Sequence, residues 1–201
     1  MALACMLVKQ NMTPEEYFQK KESRLKERKN KDVRQKETMM SDQNQQAAFD
    51  ALAEYCKNGT PLELAKYGGA TQKGILQDFT PYEFFFCSQN KVGRVHRLEL
   101  KYFFLEQSGE AIKKWIMTDK NIQQKKLKPS YKPVGRYQFP EGVLQNEAEI
   151  MVALHEGEMI RGKIVWCTPY DILLLANKHH IWVFRHAVVE CALIRKPPKK
   201  D

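Results

Sequence analysis

The sequence predicts a mostly β protein: two small, strongly bent five-stranded barrels, the first opened by a short α-helix and both preceded by a charged N-terminal helix. Three observations lead there. Residues 42–106 hold one amphipathic helical stretch and five short apolar runs separated by turn signals, and a chain so short encloses a core by curling one sheet upon itself. The layout of Lys73–Phe104 returns in Arg161–Val189. Between the two lies a basic stretch broken by proline and glycine. The resulting boundaries are a charged arm at 1–41, a first barrel at 42–106, a basic linker at 107–142, a second barrel at 143–195 and a basic tail at 196–201.

In chain order, Thr13 is placed to cap a helix with Pro14 in its first turn, and the run to Glu37 is almost wholly charged or polar. Tyr17, Leu25 and Val33 are too few to form a core-facing stripe, so this helix is expected to be solvated. A second helix, Asp42–Lys57, lines up Ala48, Phe49, Leu52 and Cys56, and Asn58-Gly59 stops it. Pro61 resets the backbone to extended form ahead of the strand Leu62–Tyr67, and Gly68-Gly69 turns it. Strands are expected at Ala70–Phe79 and Tyr82–Ser88, meeting at Thr80-Pro81. A hairpin over Gln89–Gly93 then leads to strands at Arg94–Leu100 and Tyr102–Glu106. Residues 107–142 read as linker, with a helical stretch from Glu110 to Met117 that presents Ile112, Trp115 and Ile116.

A shift of 88 positions lays Leu62–Phe86 on Ile150–Leu174 without a gap. Gly69 meets Gly157, Gly74 meets Gly162, and Thr80-Pro81-Tyr82 meets Thr168-Pro169-Tyr170, with Glu83 opposite Asp171. A triplet at matched distance from two matched glycines points to internal duplication. Beyond it the hairpin of the second copy reads as four residues shorter, which sets Leu100-Lys101-Tyr102 against Phe184-Arg185-His186.

Composition narrows the function classes. No apolar run reaches the roughly 18 residues of a membrane-spanning helix. Five scattered cysteines without a C-x-x-C pair suit free thiols in a cytoplasmic protein rather than a zinc site or disulfide frame. The formal charge of +9 suits an anionic partner. Its excess lies in the linker and tails, because residues 141–194 carry 4 basic against 7 acidic residues. Nothing reads as an enzyme. There is no phosphate-cradling glycine loop, no nucleophile elbow and no useful carboxylate pair, and His179-His180 would point to opposite faces of a strand. No metal, cofactor or small-molecule substrate is expected.

The run from Leu154 through Gly162, the Trp166–Leu174 strand pair and the tetrad Phe184-Arg185-His186-Ala187 together resemble Hfq, the bacterial Sm-like RNA chaperone family. The helix AAFDALAEYCKNG of the first copy resembles the short helix that opens the Sm fold, an SH3-like barrel. The resemblance covers about 60 residues of the first copy and about 50 of the second. It implies Sm-like barrels joined edge to edge in a ring, here a pseudo-symmetric homo-oligomeric ring with two positions per chain. It also implies binding of single-stranded RNA, U-rich RNA included, by a cytoplasmic chaperone or post-transcriptional regulator. Carried over, Tyr170 becomes the base-stacking aromatic, with Arg185 and His186 as polar partners beside Phe184. The first copy offers Tyr82 and Lys101, with Tyr102 where the histidine would be. Two departures stand out. Pro81 and Pro169 replace the glutamine that precedes the stacking aromatic, and proline cannot read a base edge. Ala65 and Ala153 replace a first-strand aromatic, which implies weak or lost A-rich binding on the opposite face.

Without the family, the same residues keep two readings. Tyr170, Arg185 and His186 have the chemistry of a stacking platform flanked by cations, which single-stranded nucleic acid requires. They equally suit a barrel-end cover, an edge ion-pair donor and a satisfied structural histidine, while Trp166 and Trp182 read as core and Thr-Pro-Tyr as turn chemistry. The alternative function is a degenerate Sm-like scaffold that mediates protein assembly without RNA.

Overall fold

The computed structural model describes residues 42–124 and 149–194. The expected N-terminal arm and its charged helix, the linker beyond residue 124, the start of the second barrel and the basic tail lie outside these residues. Among the described residues, those from Asn44 onward form one compact unit.

Helix α1, residues 42–58, buries Ala48 and Leu52, the face its periodicity marks out. Gly59, at φ 58°, ends it, with its N–H on the Cys56 carbonyl and the Thr60 N–H on the Tyr55 carbonyl. Five strands follow: β1 (Pro61–Lys66), β2 (Thr71–Phe79), β3 (Glu83–Ser88), β4 (Lys91–His96) and β5 (Leu100–Leu105), with a 3-10 turn at Arg97–Glu99. After a short turn come α2 (Gly109–Trp115), the two-residue strand β6 (Met117–Thr118) and α3 (Lys120–Gln124). The second set is β7 (Glu149–Leu154), β8 (Glu158–Cys167), β9 (Asp171–Ala176), β10 (His179–Phe184) and β11 (Val188–Leu193), with its 3-10 turn at Arg185–Ala187.

Every strand of the first set finds its counterpart at one constant offset. Pro61–Lys66 recurs as Glu149–Leu154, Lys91–His96 as His179–Phe184, and Leu100–Leu105 as Val188–Leu193, 88 residues apart each time. Irregularities recur with them. The β2–β3 bulge between Leu76 and Asp78 has its match between Ile164 and Trp166. The expected four-residue shortening of the second hairpin is therefore incorrect. Both hairpins are two-residue turns with left-handed backbone, Gln89-Asn90 and Asn177-Lys178, the geometry that follows the twist of the strands. The matched glycines also share a cause. A Cβ on Gly74 would lie 2.0 Å from the Cys87 carbonyl oxygen, and one on Gly162 would lie 2.9 Å from that of Leu175, so β2 and β8 press on their neighbours where only hydrogen fits.

The expectation of two closed five-stranded barrels is overturned. The strands form one large open antiparallel sheet in the order β11-β7-β8-β9-β10-β5-β1-β2-β3-β4, with β6 added to β8. Closure of either set would need its fourth strand on its own fifth. Instead β10 of the second set takes β5 of the first, in the register Ile181↔Phe104, Trp182↔Phe103, Val183↔Tyr102. The side chains explain the choice. Along β10, Ile181 and Val183 enter one core, while Trp182 and Phe184 enter the other. Along β5, Phe104 joins the first of these and Phe103 and Leu100 the second. Both junction strands thus bury both faces, which is why they read as near-continuous apolar runs.

The stretch expected as the start of the linker is partly built into the fold. The helical stretch expected over Glu110–Met117 appears as α2, which buries Ile112 in the core beside β7–β11. Trp115 donates from Nε1 to the Arg161 carbonyl at 2.9 Å, and Lys113 lies 2.8 Å from the buried Glu63 carboxylate.

Candidate functional site

A cleft of about 430 Å³ opens where the two strand sets meet, in the size range of ligand sites. Two repeated turns form one side of it: Pro81-Tyr82 and, from the second set, Thr168-Pro169-Tyr170. Each turn is built by its threonine. Thr80 Oγ1 accepts from the N–H groups of Tyr82 (3.2 Å) and Glu83 (2.9 Å), and Thr168 Oγ1 from those of Tyr170 (3.1 Å) and Asp171 (2.8 Å). The tyrosine carbonyls are taken in turn by the Arg97 and Arg185 N–H groups, each at 2.8 Å. With the backbone so held, the two rings project outwards, Tyr82 70% exposed and Tyr170 51% exposed.

Helix α1 supplies another wall through Gln45, Phe49 and Leu52. It is tied across the junction by Asn44, whose Nδ2 donates to the Cys167 carbonyl at 3.0 Å. The rear of the cleft is made by the two 3-10 turns and the residues just before them, from His96 to Leu98 and from Phe184 to His186.

Arg97 is the residue that locks this junction. Its Nη2 donates to both Asp171 carboxylate oxygens, at 2.5 and 2.6 Å, and its Nη1 donates to the Pro81 carbonyl at 3.1 Å. The guanidinium lies over Phe84 and Phe184, 5.6 and 5.2 Å from the ring centroids. Both charges of this pair are more than nine-tenths buried. Arg185, one repeat later, is half-buried and donates from Nη1 to the Thr168 carbonyl at 3.0 Å.

Of the residues the sequence singled out, five line the cleft: Tyr82, Tyr170, Phe184, Arg185 and His186. Phe184 is 1% exposed and packs among Phe84, Phe103 and the His186 ring. His186 donates from Nε2 to the Leu100 carbonyl at 2.9 Å. Burial, assisted by the charges of Arg97, His155 and His96 against one favourable carbonyl contact, brings its pKa down to about 4. At neutral pH this imidazole is uncharged, so the cationic character of the cleft comes from arginine.

Lys101 and Tyr102 stand elsewhere, on β5 outside the cleft lining. Lys101 is 2% exposed and its ammonium bridges the Glu156 carboxylate, at 2.5 Å, and that of Glu158. Burial alone would raise the Glu156 pKa, but the Lys101 ammonium and the Gly68 N–H outweigh it and hold the carboxyl below its ordinary value. Tyr102 stacks on Phe104 with centroids 6.1 Å apart, and burial followed by the nearby carboxylates pushes its phenol pKa upward.

The constant offset gives Arg185 the counterpart Arg97 and His186 the counterpart Leu98, where the sequence comparison had set Lys101 and Tyr102. Arg97, His96 and the α1 wall are the cleft residues that sequence reasoning missed. One signal was there for Arg97, since extending the ungapped shift of 88 past the hairpin pairs arginine with arginine.

No family model matches this chain, and no curated protein matches it. Among solved structures, a crystal structure of the pleiotropic translational regulator Hfq is similar at 19% identity and a TM-score of 0.27, over 28% of this chain and 95% of that one.

Proposed function

We propose that the chain is an Sm-like RNA-binding protein of the regulatory or chaperone kind, and that it takes single-stranded RNA in the junction cleft. One observation carries this reading. Two tyrosines held outwards by identical turns open onto one cleft backed by two arginines. Each phenol ring offers an unpaired base a stacking face without base-edge readout, and Arg185 lends the cleft positive charge, while Arg97 is already held by Asp171. Phe184 and the neutral His186 then serve as a packed, uncharged back wall rather than as a phosphate contact.

Titration of U-rich, A-rich and mixed single-stranded RNA at low and high salt tests the proposal. Binding is expected to weaken as salt rises, because each neutralised phosphate releases counterions. Tyr170→Ala is expected to weaken it about 5- to 150-fold, the equivalent of roughly 1–3 kcal/mol of stacking. Binding that survives Tyr170→Ala unchanged but disappears on deletion of residues 125–140 would move the function to that basic segment. Absence of binding to every RNA would leave an assembly scaffold as the better reading. The acidic balance of residues 141–194 favours that second reading.

A further inference from the structure

We infer that Asn58 is a site of self-modification: its side-chain amide closes on the backbone nitrogen of Gly59, ammonia is lost, and a carboxylate is left at the end of helix α1. The site lies outside the cleft lining and stands whether or not the cleft takes RNA.

Asn58-Gly59 is the single Asn-Gly step in the sequence, and every other asparagine precedes a bulkier residue. Ring closure needs the next backbone nitrogen to reach the side-chain carbonyl carbon. A side chain on that next residue obstructs the approach, and glycine has none. The fold leaves the approach open in three ways. Asn58 is exposed and is the last residue of α1, so its side chain is not spent on packing. A Cβ built on Gly59 would find no atom within 4 Å, so the imide ring has room. The Gly59 N–H meets the Cys56 carbonyl at 3.2 Å, the long end of the N–H···O range, so its nitrogen is loosely held. Water is the only co-reactant the step needs. Hydroxide removes the Gly59 amide proton, the nitrogen attacks Asn58 Cγ, and the Cγ–Nδ2 bond breaks as ammonia departs. Water then opens the imide at either carbonyl, giving aspartate or its β-linked isomer.

The new charge falls in an unfavourable place. The C-terminal end of a helix already carries the negative end of the backbone dipole. Burial and then the Glu54 charge raise the Tyr55 pKa, and burial and then Asp78 raise that of Cys56, so two carboxylates already face this end of α1. The β-linked isomer also lengthens the backbone just where the Thr60 N–H reaches the Tyr55 carbonyl at 3.0 Å. Helix α1 is a wall of the cleft through Gln45, Phe49 and Leu52, so the modification loosens that wall from its far end.

The test is to age the full chain in warm, mildly alkaline buffer made with heavy-oxygen water, separate charge forms by ion exchange and map them by peptide mass spectrometry. A form more acidic by a single charge should accumulate, carry heavy oxygen at Asn58 and accept a methyl group from an isoaspartyl methyltransferase. Asn58→Gln, whose longer side chain closes such a ring slowly, should suppress that form. Asn58→Asp should exchange amide hydrogens in the last turn of α1 about 2- to 5-fold faster than the parent. Acidic forms that map to Asn90 or Asn177 while Asn58 stays intact would overturn the assignment. A free peptide of residues 54–62 that converts while the folded chain does not would overturn it too, because the fold would then protect the site. Unchanged exchange in Asn58→Asp would overturn the loosening of α1.

Discussion

The inner junction and the outer edges are the same pair of strands used twice with opposite results. In β10, four consecutive residues from Ile181 to Phe184 are buried; in its repeat β4 only Val95 is. Backbone layout, hairpin and 3-10 turn are shared, so geometry alone does not select which edge is joined. The side chains on the two faces select it: a strand with four successive apolar residues that find cover is drawn between two cores, and one whose Lys91, Gly93 and Arg94 stay exposed remains at the rim.

The comparison breaks most visibly at the buried ion pair. Asp171→Ala strands the Arg97 guanidinium in the interior and should cost about 3–5 kcal/mol, whereas Glu83→Ala at the repeated position, facing a largely exposed Arg94, should cost about 1 kcal/mol or less. Urea unfolding of both variants measures the difference. Similar losses at the two positions would mean that the inner pair is not what holds the sets together.

Trp182→Ala empties a site shared with Phe103 and Trp166 and should destabilise by about 3–5 kcal/mol. Its counterpart Arg94→Ala should stay within about 0.5 kcal/mol.

Acid should act on the junction through His186. Its pKa lies at about 4 in the folded chain against an ordinary 6.5, so below pH 6.5 the unfolded chain takes up a proton that the folded one refuses. Stability from this group is therefore full above pH 6.5 and falls as pH drops towards 4, by on the order of 3 kcal/mol. His155, lowered by burial, adds a loss of the same sign. Replacing His186 by leucine, the residue at its counterpart Leu98, should flatten the denaturation midpoint between pH 4 and 6.5; a slope as steep as in the parent would assign the acid sensitivity elsewhere.

Among the contacts that tie the inner junction, the smallest effect is expected at Asn44. Its side-chain bond to the Cys167 carbonyl ties α1 across the junction, and Asn44→Ala should lose about 1 kcal/mol. Hydrogen exchange at the N-terminal turn of α1 would register the loosening even where global stability barely moves.

Much of this molecule is legible along the chain. Helix α1 follows from its apolar spacing and Gly59, the strands from short apolar runs, and the two Thr-Pro-Tyr turns from proline beside a hydroxyl that accepts two N–H groups. Such features are local, so nearby residues contain their cause. The hairpins misled, because Gln89-Asn90 and Asn177-Lys178 are weaker turn signals than the glycine at Gly93, and a hairpin centred too late shifted the alignment from Arg97 to Lys101. Tyr170, Tyr82 and Arg185 were visible as candidates; their meeting in one cleft was not.

The sequence by itself determined the repeat, the element types and the tyrosine-bearing turns, since each depends on φ, ψ and spacing within a few residues. Tertiary structure alone decided that β5 and β10 join two strand sets into one sheet, that Arg97 is spent on Asp171 while Lys101 is spent on Glu156 and Glu158, and that two turns 88 residues apart face one cleft. Those outcomes depend on which apolar faces cover one another and which buried charges find partners, and that competition is settled only when the whole chain is packed.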